Sequence, residues 1–261
     1  MTSGWAAAGF ALFTWWFSTG LILLVVNRAE RGRSGAPARA ALFSLPVLAL
    51  GAAGVFLSRD DGSAAGAYHA FLSAIAIWGW IELAFLTGVL TGPVLRPCPE
   101  DVPEWERFVR AWGVIAYSEM SLVAALAALW LHLEGAANPV AFWTFATLFG
   151  ARLTAKLNLW LGVPHVHAEM LPRRLSHVAS HFRIRRPTPF FAVSVTLLTL
   201  AAGGWIWTAA TAEAPVAAVG AALVAALTAL ALVEHWLMVV PIPDGVLWRW
   251  TEARGARKPA P

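Results

Sequence analysis

One cysteine, Cys98, is all the chain has, so no disulfide can form within a monomer and no four-thiolate metal centre can be built. Charge is scarce as well. Asp, Glu, Lys and Arg together make up 13% of the residues, against 59% hydrophobic. A chain with so little polar surface has no way to cover its apolar side chains in water. No stretch reads as a soluble domain, and no internal repeat is evident. No basic leader precedes the first apolar run, which is itself of full span length, so a cleavable signal peptide is not expected.

What the chain does have is long apolar runs. Seven stretches, about 5–26, 40–57, 68–91, 111–133, 139–163, 189–211 and 216–240, each lie near the roughly 20 residues that cover ~30 Å of hydrocarbon. In lipid the backbone must satisfy its own hydrogen bonds, which predicts helices and an all-α bundle, a single transmembrane domain over 1–261. The cations alternate between the gaps. Arg28, Arg31, Arg33 and Arg39 follow the first run, Arg96, Arg107 and Arg110 the third, Arg173, Arg174, Arg183, Arg185 and Arg186 the fifth, and Arg249, Arg254, Arg257 and Lys258 the last. The other gaps hold only Arg59. The positive-inside rule then predicts an inner-membrane protein with a periplasmic amino terminus and a cytoplasmic carboxy terminus. On this reading the net charge of +4 belongs to loops facing anionic headgroups of the lipid bilayer and gives no reason to invoke nucleic acid.

Two of the basic loops carry more character. Pro103 with Glu104 and Glu106 reads as the first turn of the fourth helix, after an extended Arg96-Pro97-Cys98-Pro99 segment. In the loop after the fifth run, Leu171, Leu175, Val178 and Phe182 share a narrow sector of a helix over about 171–182, with Arg173, Arg174, His177, His181 and Arg183 pointing elsewhere. That pattern predicts a short amphipathic helix lying in the headgroup layer on the cytoplasmic side. Trp105, Trp248 and Trp250 fit an interfacial aromatic belt, whereas Trp15, Trp16 and Trp78 lie deeper, where packing or contact with a flat pigment would account for them.

Charged residues inside the runs are the main functional signal, since each costs ~2.5–3.5 kcal/mol on insertion scales. Glu82 lies in the third run, Glu119 in the fourth, Arg152 and Lys156 in the fifth, and Glu234 with His235 near the end of the seventh. Arg152 and Lys156 are four apart and share a helix face, so two cations call for two anions; Glu82 and Glu119 are the candidates, with Asn158 nearby to complete hydrogen bonds. Ion pairs that fix the register of the bundle, a polar ligand site and a proton path are all compatible with this set. His235 could bond to a neighbouring helix or ligate the magnesium of a chlorophyll-type pigment. A second set, His165, His167 and Glu169 followed by His177 and His181, has a spacing that could hold iron or zinc, although its arginines suit headgroups better than a cation.

Several strings together resemble one family: Thr91-Gly92-Pro93 and Cys98-Pro99; Arg107-Phe108 and Tyr117-Ser118-Glu119; Lys156-Leu157-Asn158-Leu159-Trp160-Leu161-Gly162-Val163-Pro164; Glu169-Met170-Leu171-Pro172; Leu175-Ser176-His177 and His181-Phe182; and Pro189-Phe190-Phe191. They are similar to the photosynthetic complex assembly protein PuhE of purple phototrophic bacteria, over about 71–198. The resemblance implies a membrane factor that helps build the photosynthetic reaction centre and light-harvesting complex, with bacteriochlorophyll or a precursor as an expected ligand. Its expected partners are reaction-centre or light-harvesting subunits and other assembly factors. The alternatives are a membrane metalloenzyme acting on a pigment or isoprenoid, with Glu82, Glu119, Glu169, His177 and His181 as metal candidates, and a carrier of a pigment intermediate or an ion.

Overall fold

The computed structural model describes residues 4–166 and 171–241. Within them the apolar runs are α-helices: α1 Gly4–Glu30, α2 Ala36–Phe43, α3 Leu45–Ser58, α4 Ala64–Leu86, α5 Glu104–Leu133, α6 Val140–Leu161, α7 Pro189–Thr211 and α8 Pro215–Leu237. The described residues contain no strand, only an isolated bridge between Val163 and Ile184. Six helical stretches are long and apolar enough to cross a membrane, α2 and α3 counting together as one. The remaining pass, α6, is 22 residues long but carries Arg152, Lys156 and Asn158, which lower its apolarity. The expected seven spans are thus seven helical passes, of which six meet the membrane criterion by composition.

The run expected over 40–57 begins earlier, at Ala36, and is broken at Ser44. Pro46 has no N–H to offer the carbonyl one turn back, so the ladder cannot run through. The opened backbone is covered from two sides, because the Ser44 hydroxyl donates to the Ala41 carbonyl at 2.9 Å and the Trp80 indole of α4 donates to the same oxygen at 3.1 Å. α4 ends in a Schellman turn: Val89 N donates to Ala84 O and Gly88 N to Phe85 O, with Gly88 at φ +75°, a left-handed conformation that a side chain would strain.

At one end of the bundle Arg59, the lone cation of its gap, donates to the His132 carbonyl at 3.0 Å and so caps the last turn of α5. Buried Asn138 donates from its side chain to Ser58 O at 3.0 Å and ties the α5–α6 turn to α3. The opposite, basic end is closed by backbone pairing: Val163 N donates to Arg183 O, Arg185 N to Val163 O, and His165 N to Met238 O, each at 3.1 Å.

α4 and α8 form the centre. In their most apolar stretches 56% and 67% of the residues are buried, against 17% in α1, α2–α3 and α7. Lipid gives no hydrophobic drive for helices to associate, so close packing of small residues has to supply it. α8 is rich in Ala over 217–226, and its Gly220 lies so near Val140 of α6 that a Cβ would collide.

Two local features position the site. The Thr91–Val94 loop lies flush on α5, with Gly113 O accepting from Val94 N at 3.2 Å and Thr91 O accepting from Tyr117 N at 2.8 Å and Ser118 N at 3.2 Å. Gly113 and Tyr117 are the two partners of one helical step, and the loop bonds to both. Gly92 makes the approach possible, because a Cβ there would run into the Gly113 carbonyl. The second feature corrects an expectation. The segment predicted as an α-helix over 171–182 is a 3-10 helix over Arg173–His181. Leu175 and Val178 pack on Phe85 and Val114, with Leu171 and Phe182 beside them, so the apolar face meets α4 and α5. In a 3-10 helix residues three apart are eclipsed, which turns His181 onto the buried face with Leu175 and Val178, not onto the polar face expected from α-helical spacing.

Candidate functional site

The site begins on α6, where helical spacing puts Arg152 and Lys156 one turn apart. Facing helices bring two carboxylates to them. Arg152 Nη1 donates to Glu82 Oε1 of α4, and Arg152 Nε lies 3.4 Å from Glu119 Oε1 of α5. Lys156 Nζ donates to that same Glu119 oxygen. The four groups form a chain, Glu82, Arg152, Glu119, Lys156, with two positive and two negative charges. Glu119 is the most deeply placed: its side chain is 3% exposed, against 14% for Glu82, 15% for Arg152 and 23% for Lys156.

Aromatic rings finish the cage. The Arg152 guanidinium lies 5.8 Å from the Trp78 ring centre and 5.4 Å from that of Phe85, and Lys156 Nζ lies 5.3 Å from Phe85. Arg152 Nη2 is buried without a hydrogen-bond acceptor, and these ring faces give its positive edge an attractive environment in place of one. Trp78 is held in turn by an edge contact with Phe145, ring centres 5.2 Å apart. Packed this way, the network joins α4, α5 and α6. A neutral quartet avoids the uncompensated buried charge that would otherwise cost several kcal/mol.

Beside the quartet lies a cavity of about 310 Å3 between α1, α4, α6 and α8. Glu82, Arg152 and Glu234 line it, together with Trp15, Ser18 and Trp78. Arg152 therefore belongs to both the ion network and the cavity wall.

Asn158 does not complete the quartet's hydrogen bonds, as the sequence led us to expect. Fully buried, it donates to Ser194 Oγ of α7 and to Thr154 O, both at 3.0 Å. Two residues on from Lys156 it has rotated to a different face, which is why it joins α6 to α7. His235, the other intramembrane residue singled out in α8, links α8 to α6. Its Nδ1 is 2.8 Å from Ala231 O and its Nε2 is 3.0 Å from Thr154 Oγ1. A carbonyl can only accept, so Nδ1 carries the proton and Nε2 accepts from the Thr154 hydroxyl.

The histidine segment is organised around Ser180 and Arg107. Ser180 Oγ donates to His177 O at 2.6 Å, Cys98 N donates to Ser180 Oγ at 2.9 Å, and Arg107 Nη2 donates to Ser180 O at 3.3 Å. His181 is buried, with Nδ1 3.2 Å from His177 O. Burial, together with the nearby Arg107, holds its imidazole below the ordinary histidine range, although the bond to His177 O pulls the other way. Arg183 pairs with Glu104 at 2.6 Å and lies 5.7 Å from the Trp160 ring, which meets Phe108 edge-on at 5.2 Å. Cys98-Pro99, Arg107-Phe108, Trp160 and the 175–183 segment, distant in sequence, thus meet at one end of α5 and α6.

No three His, Cys, Asp or Glu side chains gather into a metal-binding group among the described residues. Glu82 and Glu119 are spent on Arg152 and Lys156, so they do not join His177 and His181 as the metal reading required. Glu169 and His167 lie outside the described residues, as do Trp248, Trp250 and the cations of the carboxy-terminal tail. Reading the sequence alone missed Thr154 and Ser194, whose only signal was a hydroxyl in an apolar run, and Ser180, which carried none.

Fold and buried ion network define a multi-pass membrane protein of the helical-bundle class. The chain belongs to the family described as "Protein of unknown function (DUF3623)", whose pattern matches residues 1–258. It is 46% identical over 250 residues, 96% of this chain and 91% of the relative, to a Rhodobacter capsulatus protein described as "Uncharacterized 30.4 kDa protein in puhA 5'region". No solved structure matches it.

Proposed function

We propose that this protein is an inner-membrane assembly factor for the photosynthetic reaction centre and light-harvesting complex, of the PuhE kind, acting beside bacteriochlorophyll or the nascent complex. The observation that carries the reading is the 46% identical relative from a photosynthetic bacterium, described by its place in the puhA 5' region. The ion network agrees with a scaffold: its cations and carboxylates are matched to one another, which serves register better than turnover. The amino terminus is periplasmic and the carboxy terminus cytoplasmic in this proposal, because the cations concentrate in alternate gaps.

Deletion of the gene in a phototrophic host, with complementation by the wild-type chain, tests it. The expected result is a fall in assembled reaction centre and bacteriochlorophyll per cell that complementation restores, with reaction-centre or light-harvesting subunits co-purifying in mild detergent. Normal complex levels in the deletion strain would overturn the assembly role. Reporters fused after Arg33, Asp101 and Arg185 should read cytoplasm, and those near Asp61, Gly135 and Ala214 periplasm; an inversion would overturn the orientation.

A further inference from the structure

We infer that the cavity between α1, α4, α6 and α8 is a binding site for one uncharged, flat-ringed amphiphile with hydrogen-bonding oxygens, the chemistry of a prenylated benzoquinone head. The inference stands apart from the assembly role, since it rests on the shape and chemistry of the cavity alone.

Size comes first. At about 310 Å3 the cavity stands at the lower end of the ~300–1,000 Å3 that small-molecule sites span, enough for a single ring and the start of a tail. The space exists because Gly79, Ala151, Ala155 and Ala231 line it, from three helices whose larger residues would have closed it. A cavity left open at a crossing of helices forfeits packing contacts, so an occupant recovers what the small residues give up.

Charge comes next. Arg152 already faces Glu82 and Glu119, and the quartet sums to zero. An ionised ligand would meet a like charge on the wall in this apolar setting, Glu82 and Glu234 for an anion or Arg152 for a cation. A neutral molecule meets none. Trp15 and Trp78 supply aromatic surface for a flat ring, and the Thr19 hydroxyl supplies a donor for its oxygens. Leu23, Leu227 and Leu230 make the remaining wall apolar enough for the first isoprene unit.

Purified full-length protein in lipid nanodiscs, titrated with decylubiquinone and read by native mass spectrometry, should take up one molecule per chain saturably. Farnesol should bind at least tenfold more weakly and bacteriochlorophyll a should not displace the quinone. Ala155→Leu and Ala231→Leu fill the space without removing a charged residue, and each should lower decylubiquinone affinity at least tenfold. Should either variant fail to fold, an azido-decylubiquinone on the wild type still decides, because its crosslinks should fall on the cavity walls, within 15–23 of α1, 75–86 of α4, 148–155 of α6 or 227–234 of α8. Uptake that never saturates, equal binding of farnesol, displacement by bacteriochlorophyll a, unchanged affinity in a folded filled variant, or crosslinks confined to residues outside those four walls would each overturn the proposal. Failure of the assembly role would leave these results untouched, since none of them reads complex formation.

Discussion

Replacing Glu119 by Gln is the sharpest perturbation of the ion network. Its carboxylate is almost fully buried and one oxygen serves both Lys156 and Arg152. The substitution keeps shape and removes charge, leaving Glu82 alone against two cations and a net charge of +1 in a poorly hydrated site. Breaking a buried pair in this way costs about 3–5 kcal/mol, much of it the desolvation of the cation left behind. Glu82→Gln should cost less, because Glu82 is more exposed and Arg152 keeps its contact with Glu119 at 3.4 Å. Lys156→Met alone leaves an excess carboxylate and should resemble Glu119→Gln. Combining Glu119→Gln with Lys156→Met restores a neutral Glu82 and Arg152 pair, so the double variant should recover at least half of the summed loss. Thermal unfolding of the purified protein in detergent, followed by its tryptophan fluorescence, reads all four variants in one series. A double variant whose loss equals the sum of the two single losses would refute the coupling.

Three further outcomes follow from the packing. His181 titrates below its ordinary value of 6.5 in the folded protein, so as pH falls below about 6.5 the unfolded segment binds the proton first and the packing of 173–181 weakens; above it the contribution is fully present. Hydrogen-exchange protection of 173–182, taken relative to the intrinsic amide rate at each pH, should therefore fall on acidification, a pH-dependence that His181→Phe removes, and protection insensitive to pH between about 7 and 5, bracketing the ordinary histidine range, would contradict the burial argument. Gly92→Ala should cost about 1–3 kcal/mol or more, because its methyl meets the Gly113 carbonyl, whereas Gly9→Ala, with open space around it, should be neutral or slightly stabilising; equal melting temperatures would remove the close approach. Thr154→Val leaves His235 Nε2 without its donor and should cost about 1–3 kcal/mol, measurable in the same thermal series, and no loss would show that the α6–α8 bond contributes nothing.

The helical bundle and the membrane were legible in the residues, because unbroken apolar runs of about 20 residues that must satisfy their own backbone in lipid do so as helices. The sequence also placed Arg152 and Lys156 on one face and pointed to Glu82 and Glu119, since charge must be matched where water is absent and the helical period is fixed. Other features needed the tertiary structure. Asn158 goes to Ser194 because two residues of helix rotate it away from Lys156, and the choice of neighbour depends on where α7 packs. His181 is buried because the segment winds as a 3-10 helix, a choice made by the fit of Leu175 and Val178 against Phe85 and Val114 and not by composition. The Thr91–Val94 loop bonds to α5 through backbone atoms, which leave no side-chain pattern beyond the two glycines that permit contact. The cavity is an absence of atoms where four helices meet, and Gly79, Ala155 and Ala231 read in sequence only as ordinary small residues of membrane helices.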